Sequence, residues 1–301
     1  MSGSKWITSM VMAGVLLMSA CGPQPEQTNG DGKLTVTVSI LPQQYFVERI
    51  GGEHVAVNVM VAPGDSPHTY EPRPEQMTAL SDSAAYFSIG VEFEEVWLDK
   101  IAAANADMLM VDLVANIERM PMDSHGHDEM EEEDTHDGET LDPHVWTSPQ
   151  LVKTMSQTIY QALGGLDPQN QEEYKANLNS FIAEIEVLEG EITASLADYE
   201  GKKFFVYHPS WGYFARDFGL EQVPIEIGGT EPSASELAAL IDEAKAEKAQ
   251  VIFVQPEFST RSAETIASEI GGSVVLISPL DLDWMNNLRT VAEAFSSVLE
   301  Q

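Results

Sequence analysis

Two rhythms of apolar and polar positions alternate along the chain. Short runs rich in β-branched residues read as strands: LTVTVSI (34–40), HVAVNVMV (54–61), AAYFSI (84–89) and DMLMVDL (107–113), then KFFVY (203–207), QVPIEI (222–227), QVIFVQ (250–255) and SVVLIS (273–278). Between them lie longer amphipathic stretches. Strands alternating with helices build parallel sheets with covering helices, so four runs and then four more predict an α/β protein with two similar parallel-sheet lobes.

One stretch between the two sets is longer. After Asp167-Pro168, the residues Tyr174, Leu178, Phe181, Ile185, Leu188, Ile192 and Leu196 recur every three or four positions. This spacing predicts a single linking helix over 167–199, and roughly 30 residues at 1.5 Å each would run about 45 Å, enough to join both lobes as a strut. A helical hairpin broken at Gly190 is the alternative, against which stands the tolerance of helices for a lone glycine. The lobes then occupy 33–166 and 200–301. A stretch over 118–142, rich in Asp and Glu and without apolar period, interrupts the first lobe and is expected to be disordered.

The N-terminus has another character. Lys5 precedes the apolar run WITSMVMAGVLLMSA (6–20), which is shorter than the roughly 20 residues a spanning helix needs and reads as a signal peptide over 1–20. It ends at Cys21, the chain's single cysteine. LMSAC resembles the bacterial lipobox, with Met18 in place of the usual Leu, and this implies an exported protein acylated at Cys21. Residues 21–32 then form a flexible tether.

Asp plus Glu number 49 against 15 Lys plus Arg, a formal net charge of −34. Such a surface repels nucleic acid and anionic headgroups and favours cations, although acidity kept for solubility or a salty habitat gives the same composition.

Cation chemistry directs attention to the seven histidines. His54 opens a strand and reads as a surface or packing residue. His125, His127 and His136 lie in the acidic stretch, as weak metal-gathering positions or merely as part of a solvated charge run. His68, His144 and His208 differ, because each follows a strand. Ligands of open α/β sheets bind beyond the C-terminal ends of strands, so a cleft between lobes would bring these three together. Each also stands beside a proline (Pro67, Pro143, Pro209), which restricts the backbone that holds the ring.

The blocks VAPGDSPHTYEPRPEQMTALSDSAAYFSIGVEFE, LDPHVWTSP, FFVYHPSWGYFARDFGL and VIFVQPEFSTRSAETIASEIGG resemble the zinc/manganese substrate-binding lipoproteins of bacterial and archaeal metal ABC transporters. The likeness runs from about residue 34 to the C-terminus, and the His/acid stretch resembles the zinc branch. It implies two lobes joined by one long helix with the metal between them, His68, His144 and His208 as ligands, and no enzymatic activity. It also implies a monomer partnered by an ABC permease and held at the membrane by its lipid, on the periplasmic side or the cell surface. Where the family usually places an Asp ligand this chain has Ser278-Pro279-Leu280. The fourth position is therefore left to water, to Asp281, or to a group from the acidic stretch.

Three neutral imidazoles suit Zn²⁺ as bound cargo better than Mn²⁺, which prefers oxygen, while Cu²⁺ and Ni²⁺ would also accept such a site. An unperturbed histidine titrates near pH 6.5, so acid is expected to compete for all three rings. A flat response to acid would turn attention to Glu71, Asp281 and Asp283. Two rival functions remain in view. A zinc hydrolase would use three histidines and a bound water with Glu71 as base, but HExxH, GxSxG, P-loop and CxxC patterns are all missing. A cell-adhesion lipoprotein would use the tether and fold without needing the histidines.

Overall fold

The computed structural model describes residues 32–122, 141–227 and 230–299. Eight strands in two parallel sheets repeat one topology. The first sheet has β1 (Leu34–Val38), β2 (Val55–Val59), β3 (Ala85–Ser88) and β4 (Leu109–Asp112) in the order β2-β1-β3-β4. The second has β5 (Lys203–Val206), β6 (Glu221–Pro224), β7 (Val251–Val254) and β8 (Ser273–Leu276) in the equivalent order β6-β5-β7-β8. All eight expected runs therefore form strands. Several runs extend one to three residues past the observed strand because the chain peels away at the C-terminal edge of the sheet, where its loops carry functional groups. Every residue of β1, LTVTV, is buried, as a central strand covered on both faces requires. Pro224, which has no N–H to give, sits at the end of an edge strand.

Helices α1 (Leu41–Gly51), α2 (Pro74–Ala79) and α3 (Glu92–Ala104) serve the first sheet. After α4 (Pro149–Leu166) comes α5 (Gln171–Leu196), the expected linking helix, flanked by 3-10 turns at Pro168–Asn170 and Ala197–Tyr199. Its 26 residues make a rod of about 39 Å, shorter than the sequence spacing suggests because Asp167 takes hydrogen bonds from Asn170 Nδ2 and Tyr174 Oη and shapes a tighter first turn. The helix passes Gly190 unbroken, with open space where a side chain would stand. All seven apolar residues of its stripe are buried. The second lobe adds α6 (Gly212–Phe218), α7 (Ala234–Ala246), α8 (Arg261–Ile270) and α9 (Trp284–Leu299).

The stripe on α5 meets α1, α4 and α9, so one helix packs on elements from both halves of the chain. At the crossing, Trp284 of α9 stands edge-on to Phe46 of α1 at 5.1 Å, and Phe181 of α5 lies 6.1 Å from Phe46 and 6.3 Å from Trp284. Each such aromatic pair adds about 0.5–1.5 kcal/mol beyond the area it buries. The core is consequently continuous from the first sheet through α5 to α9 and the inner face of the second sheet. A smaller cluster under α7 and α8 covers the outer face of the second sheet.

Not all of the acidic stretch fits the expectation of disorder. Pro121 and Leu141 form an antiparallel bridge, Asp142 N–H donates to Met120 O at 2.8 Å, and Tyr213 of α6 both accepts from Met120 N–H and donates to Asp142 O. The flanks 118–122 and 141–142 are thus held, because the second lobe supplies partners that no local pattern displays. Residues 123–140 lie outside the described residues.

Phe181→Ala removes the centre of the aromatic crossing and should cost about 3–5 kcal/mol in urea unfolding. Val187→Ala, at a position 58% exposed on the same helix, should change stability by less than about 0.5 kcal/mol. Equal effects would mean that the crossing does not join the two halves.

Candidate metal centre

His68 lies in the loop between β2 and α2, His144 just before the 3-10 turn Val145–Thr147, and His208 two residues beyond β5. Their rings converge in the cleft, with centroids 4.4 Å apart for His68 and His208, 5.1 Å for His144 and His208, and 5.9 Å for His68 and His144. One nitrogen from each lies within 4.8 Å of the others, the one such group of His, Cys, Asp or Glu side chains among the described residues.

Each ring is aimed by a carboxylate. Nδ1–H of His68 donates to Glu92 at 2.8 Å, that of His144 to Asp142 at 2.7 Å, and that of His208 to Glu226 at 2.6 Å. An ionised carboxylate can only accept, so the proton sits on Nδ1 and the lone pair on Nε2 is left for a metal. Nε2 of His208 is buried without a hydrogen-bond partner, an arrangement that costs free energy unless something binds there.

Local structure supplies the aim. Glu92 opens α3, where the helix dipole favours a carboxylate. Asp142 Oδ1 takes both the backbone N–H and the ring N–H of His144, fixing main chain and side chain together. Gln255, past the end of β7, accepts from His208 N–H and donates to His208 O at 2.6 Å, and Phe258 stacks on the His208 ring at 4.7 Å. Burial raises the Glu92 carboxyl, but the His68 hydrogen bond and the nearby imidazole charges outweigh it and bring it down to about 2.

The remaining sequence candidates are placed elsewhere. Asp281 Oδ1 accepts the N–H of Asp283 at 2.8 Å and lines a neighbouring groove instead of the histidine cluster. Glu71 and Asp283 are exposed. His54 pairs with Glu173 at 3.0 Å and packs edge-on to Tyr174, a surface role as expected. Cys21, His125, His127 and His136 lie outside the described residues. Glu92 and Glu226 were absent from the sequence candidates, and no spacing could have found them: Glu226 is 18 residues from its histidine. Asp142 had a signal, two residues before His144 in LDPH.

A two-lobed α/β protein with three convergent imidazoles in its cleft is a binding protein for a metal ion. Residues 36–298 match the family described as zinc-uptake complex component A, periplasmic (ZnuA), and the chain belongs to that family. It is 30% identical over 285 residues to the high-affinity zinc uptake system protein ZnuA of Bacillus subtilis, covering 92% of this chain and 89% of that protein. The zinc-binding lipoprotein AdcA of Streptococcus pneumoniae is 28% identical over 299 residues, which cover 95% of this chain and 57% of AdcA. The chain thus spans little more than half the length of that relative. A crystal structure of ZnuA superposes with a TM-score of 0.82 at 46% identity, covering 89% of this chain and 99% of that one.

Burial pushes the His208 imidazole down to about 4, against the hydrogen bond to Glu226, which raises it. Acid therefore competes for this ring only well below the pH at which an unperturbed histidine titrates, unlike the sequence expectation. The folded pKa lies below the unfolded value of about 6.5. Above about pH 6.5 neither state binds the proton; between about 6.5 and 4 only the unfolded chain does, so stability falls; below about 4 both do and the fall levels off. The loss across that window is on the order of 3 kcal/mol. Urea unfolding of chelator-stripped protein at pH 7 and 4.5 should show this increment in the wild type and not in His208→Gln. Equal losses in both would assign the acid sensitivity to other groups.

Proposed function

We propose that this protein captures zinc outside the cytoplasmic membrane and delivers it to an ABC-type permease. The observation that carries the reading is the convergence of three Nε2 lone pairs, each fixed by its own buried or half-buried carboxylate. Zn²⁺ is bound by neutral imidazoles in tetrahedral sites, whereas Mn²⁺ prefers oxygen donors and lies lower in the affinity order. His68, His144 and His208 are the zinc ligands, and His125, His127 and His136 at most gather the ion weakly. The names of the Bacillus and Streptococcus relatives support zinc as cargo.

A hydrolase reading finds no support in the cavity. The chamber at the histidines is about 10 Å³, the room of one water or one ion and far less than an ester or amide substrate fills. The family is one of substrate-binding transport proteins that work with ABC metal permeases. Among the described residues no helix is long and apolar enough to cross a membrane. The Cys21 lipid supplies the attachment, in agreement with the lipoprotein name of AdcA.

Calorimetric titration of chelator-stripped protein should give a tight zinc site and much weaker Mn²⁺ binding. His208→Ala should weaken that site by more than deletion of residues 123–139 does, since one fixed imidazole is a strong bond and the deletion removes only weak, peripheral sites. If the deletion abolished tight binding and His208→Ala did not, the cleft assignment would be wrong.

Anchoring is checked separately. Expressed in a bacterium with its own signal, the protein should fractionate with membranes and carry an acylated N-terminus by mass spectrometry, and Cys21→Ser should release it unacylated. An unacylated, soluble mature wild type would remove the lipid anchor.

A further inference from the structure

Three imidazoles fill three corners of a tetrahedron, and zinc sites that bind without catalysing take a protein group in the fourth. The side chains around the chamber leave one suitable donor. Ser278, at the position where the family resemblance would place an aspartate, accepts the N–H of Leu280 at 3.1 Å. Asp281 is occupied with the N–H of Asp283. Gln255 is spent on the His208 backbone and on Ser210 Oγ. Glu257 remains, the single carboxylate among the residues lining the histidine chamber.

Its setting is that of a poised ligand. The crevice between β5 and β7, neighbours whose onward connections run to opposite sides of the sheet, is where an open α/β sheet places its binding groups. β5 delivers His208 there, and β7 delivers Gln255-Pro256-Glu257-Phe258. Gln255 is hydrogen-bonded to the His208 backbone, Phe258 lies on the His208 ring, and Phe258 N–H closes a turn onto Gln255 O at 3.1 Å. The main chain of Glu257 is therefore fixed against His208 on both sides. Its carboxylate is not: among the described residues it takes a hydrogen bond from its own backbone N–H and from no other side chain. Half-buried, the side chain lines both the histidine chamber and the adjoining groove formed with Asp65 and Asp281. Its side chain therefore shares the wall of the chamber with His68, His144 and His208.

We propose that Glu257 is the fourth zinc ligand, turning its carboxylate from the mouth of the cleft onto an ion held by His68, His144 and His208. This rests on the reading of those histidines as the zinc site and adds the residue that closes it. A closed, four-ligand site leaves no position for an activated water and retains an ion without turning it over. In this structure the Glu257 oxygens lie outside the group of nitrogens within 4.8 Å of one another, so rotation about its own side-chain torsions is the step that closes the site.

The test is zinc affinity, by competition with a chelator, for full-length chelator-stripped wild type, Glu257→Gln, Asp281→Asn and His144→Ala, with a crystal structure of the zinc-loaded wild type. Glu257→Gln should weaken binding by about 10- to 100-fold, the range seen when a group supporting a metal is removed, and Asp281→Asn should leave it unchanged. In the crystal a Glu257 oxygen should stand about 2.0–2.2 Å from zinc. Loss of affinity in His144→Ala with none in Glu257→Gln, or a water or Asp281 at the fourth corner, would overturn the assignment of Glu257 alone. Undiminished affinity in His144→Ala would overturn the histidine site itself. Glu257 lies on a surface turn, and an unchanged thermal midpoint for Glu257→Gln without zinc confirms that any loss is not one of folding.

Discussion

The hydrogen bond from each imidazole Nδ1 to a carboxylate is the interaction on which the centre depends. A histidine ring on a loop turns freely about two torsions and offers either nitrogen, so three unguided rings meet at one point in only a small fraction of their conformations. Glu92, Asp142 and Glu226 remove that freedom and settle the tautomer in the same contact. They also place three negative charges behind the cavity, which raises the basicity of the ring nitrogens that face it. The cost is burial of charge, and the pairing of each carboxylate with a ring N–H offsets it.

Such aim is useful only if the bodies carrying the rings keep their relation. The packing of α5 supplies this, because its buried stripe faces α1 and α4 on one side and α9 on the other. Phe46, Phe181 and Trp284 meet at the point where helices from the two halves of the chain cross. Two indole N–H groups extend the link toward the site: Trp146 donates to Pro279 O and Trp284 to Trp146 O, each at 2.7 Å. Trp146 also packs against the His144 ring at 5.2 Å, so the anchoring of the second lobe reaches the histidine cluster directly.

The strands, the linking helix and the three histidines were legible in the sequence because each depends on local pattern. A period of two or of 3.6 records which face of an element is buried, and a histidine just beyond a strand lies at the functional edge of a sheet. All seven stripe positions of α5 are buried for that reason. What stayed hidden depends on residues meeting across the fold. The two indole hydrogen bonds join residues 133 and 138 positions apart, and nothing near either residue announces its partner. Glu226 and Glu257 look like ordinary acids in a chain with 49 of them, and only their places beyond the ends of β6 and β7, the two strands flanking β5, set them apart. The ordered flanks of the acidic stretch were missed likewise, since their partner, Tyr213, belongs to the other lobe.

The donors are divided unequally between the two bodies, and not as chain order implies. His144 precedes α4 and counts by sequence with the first lobe. Its segment nevertheless bonds to the second at four points, through Tyr213 to Asp142, Ser148 to Asp217, Trp146 to Pro279, and Trp284 to Trp146. His208 belongs to the second lobe outright. His68, with Glu92, is held by the first, and its side chain is the most exposed of the three, 20% against 3% for His144 and 6% for His208. His68 thus reaches the cluster from the first sheet alone, while the other two rings are tied together through the second.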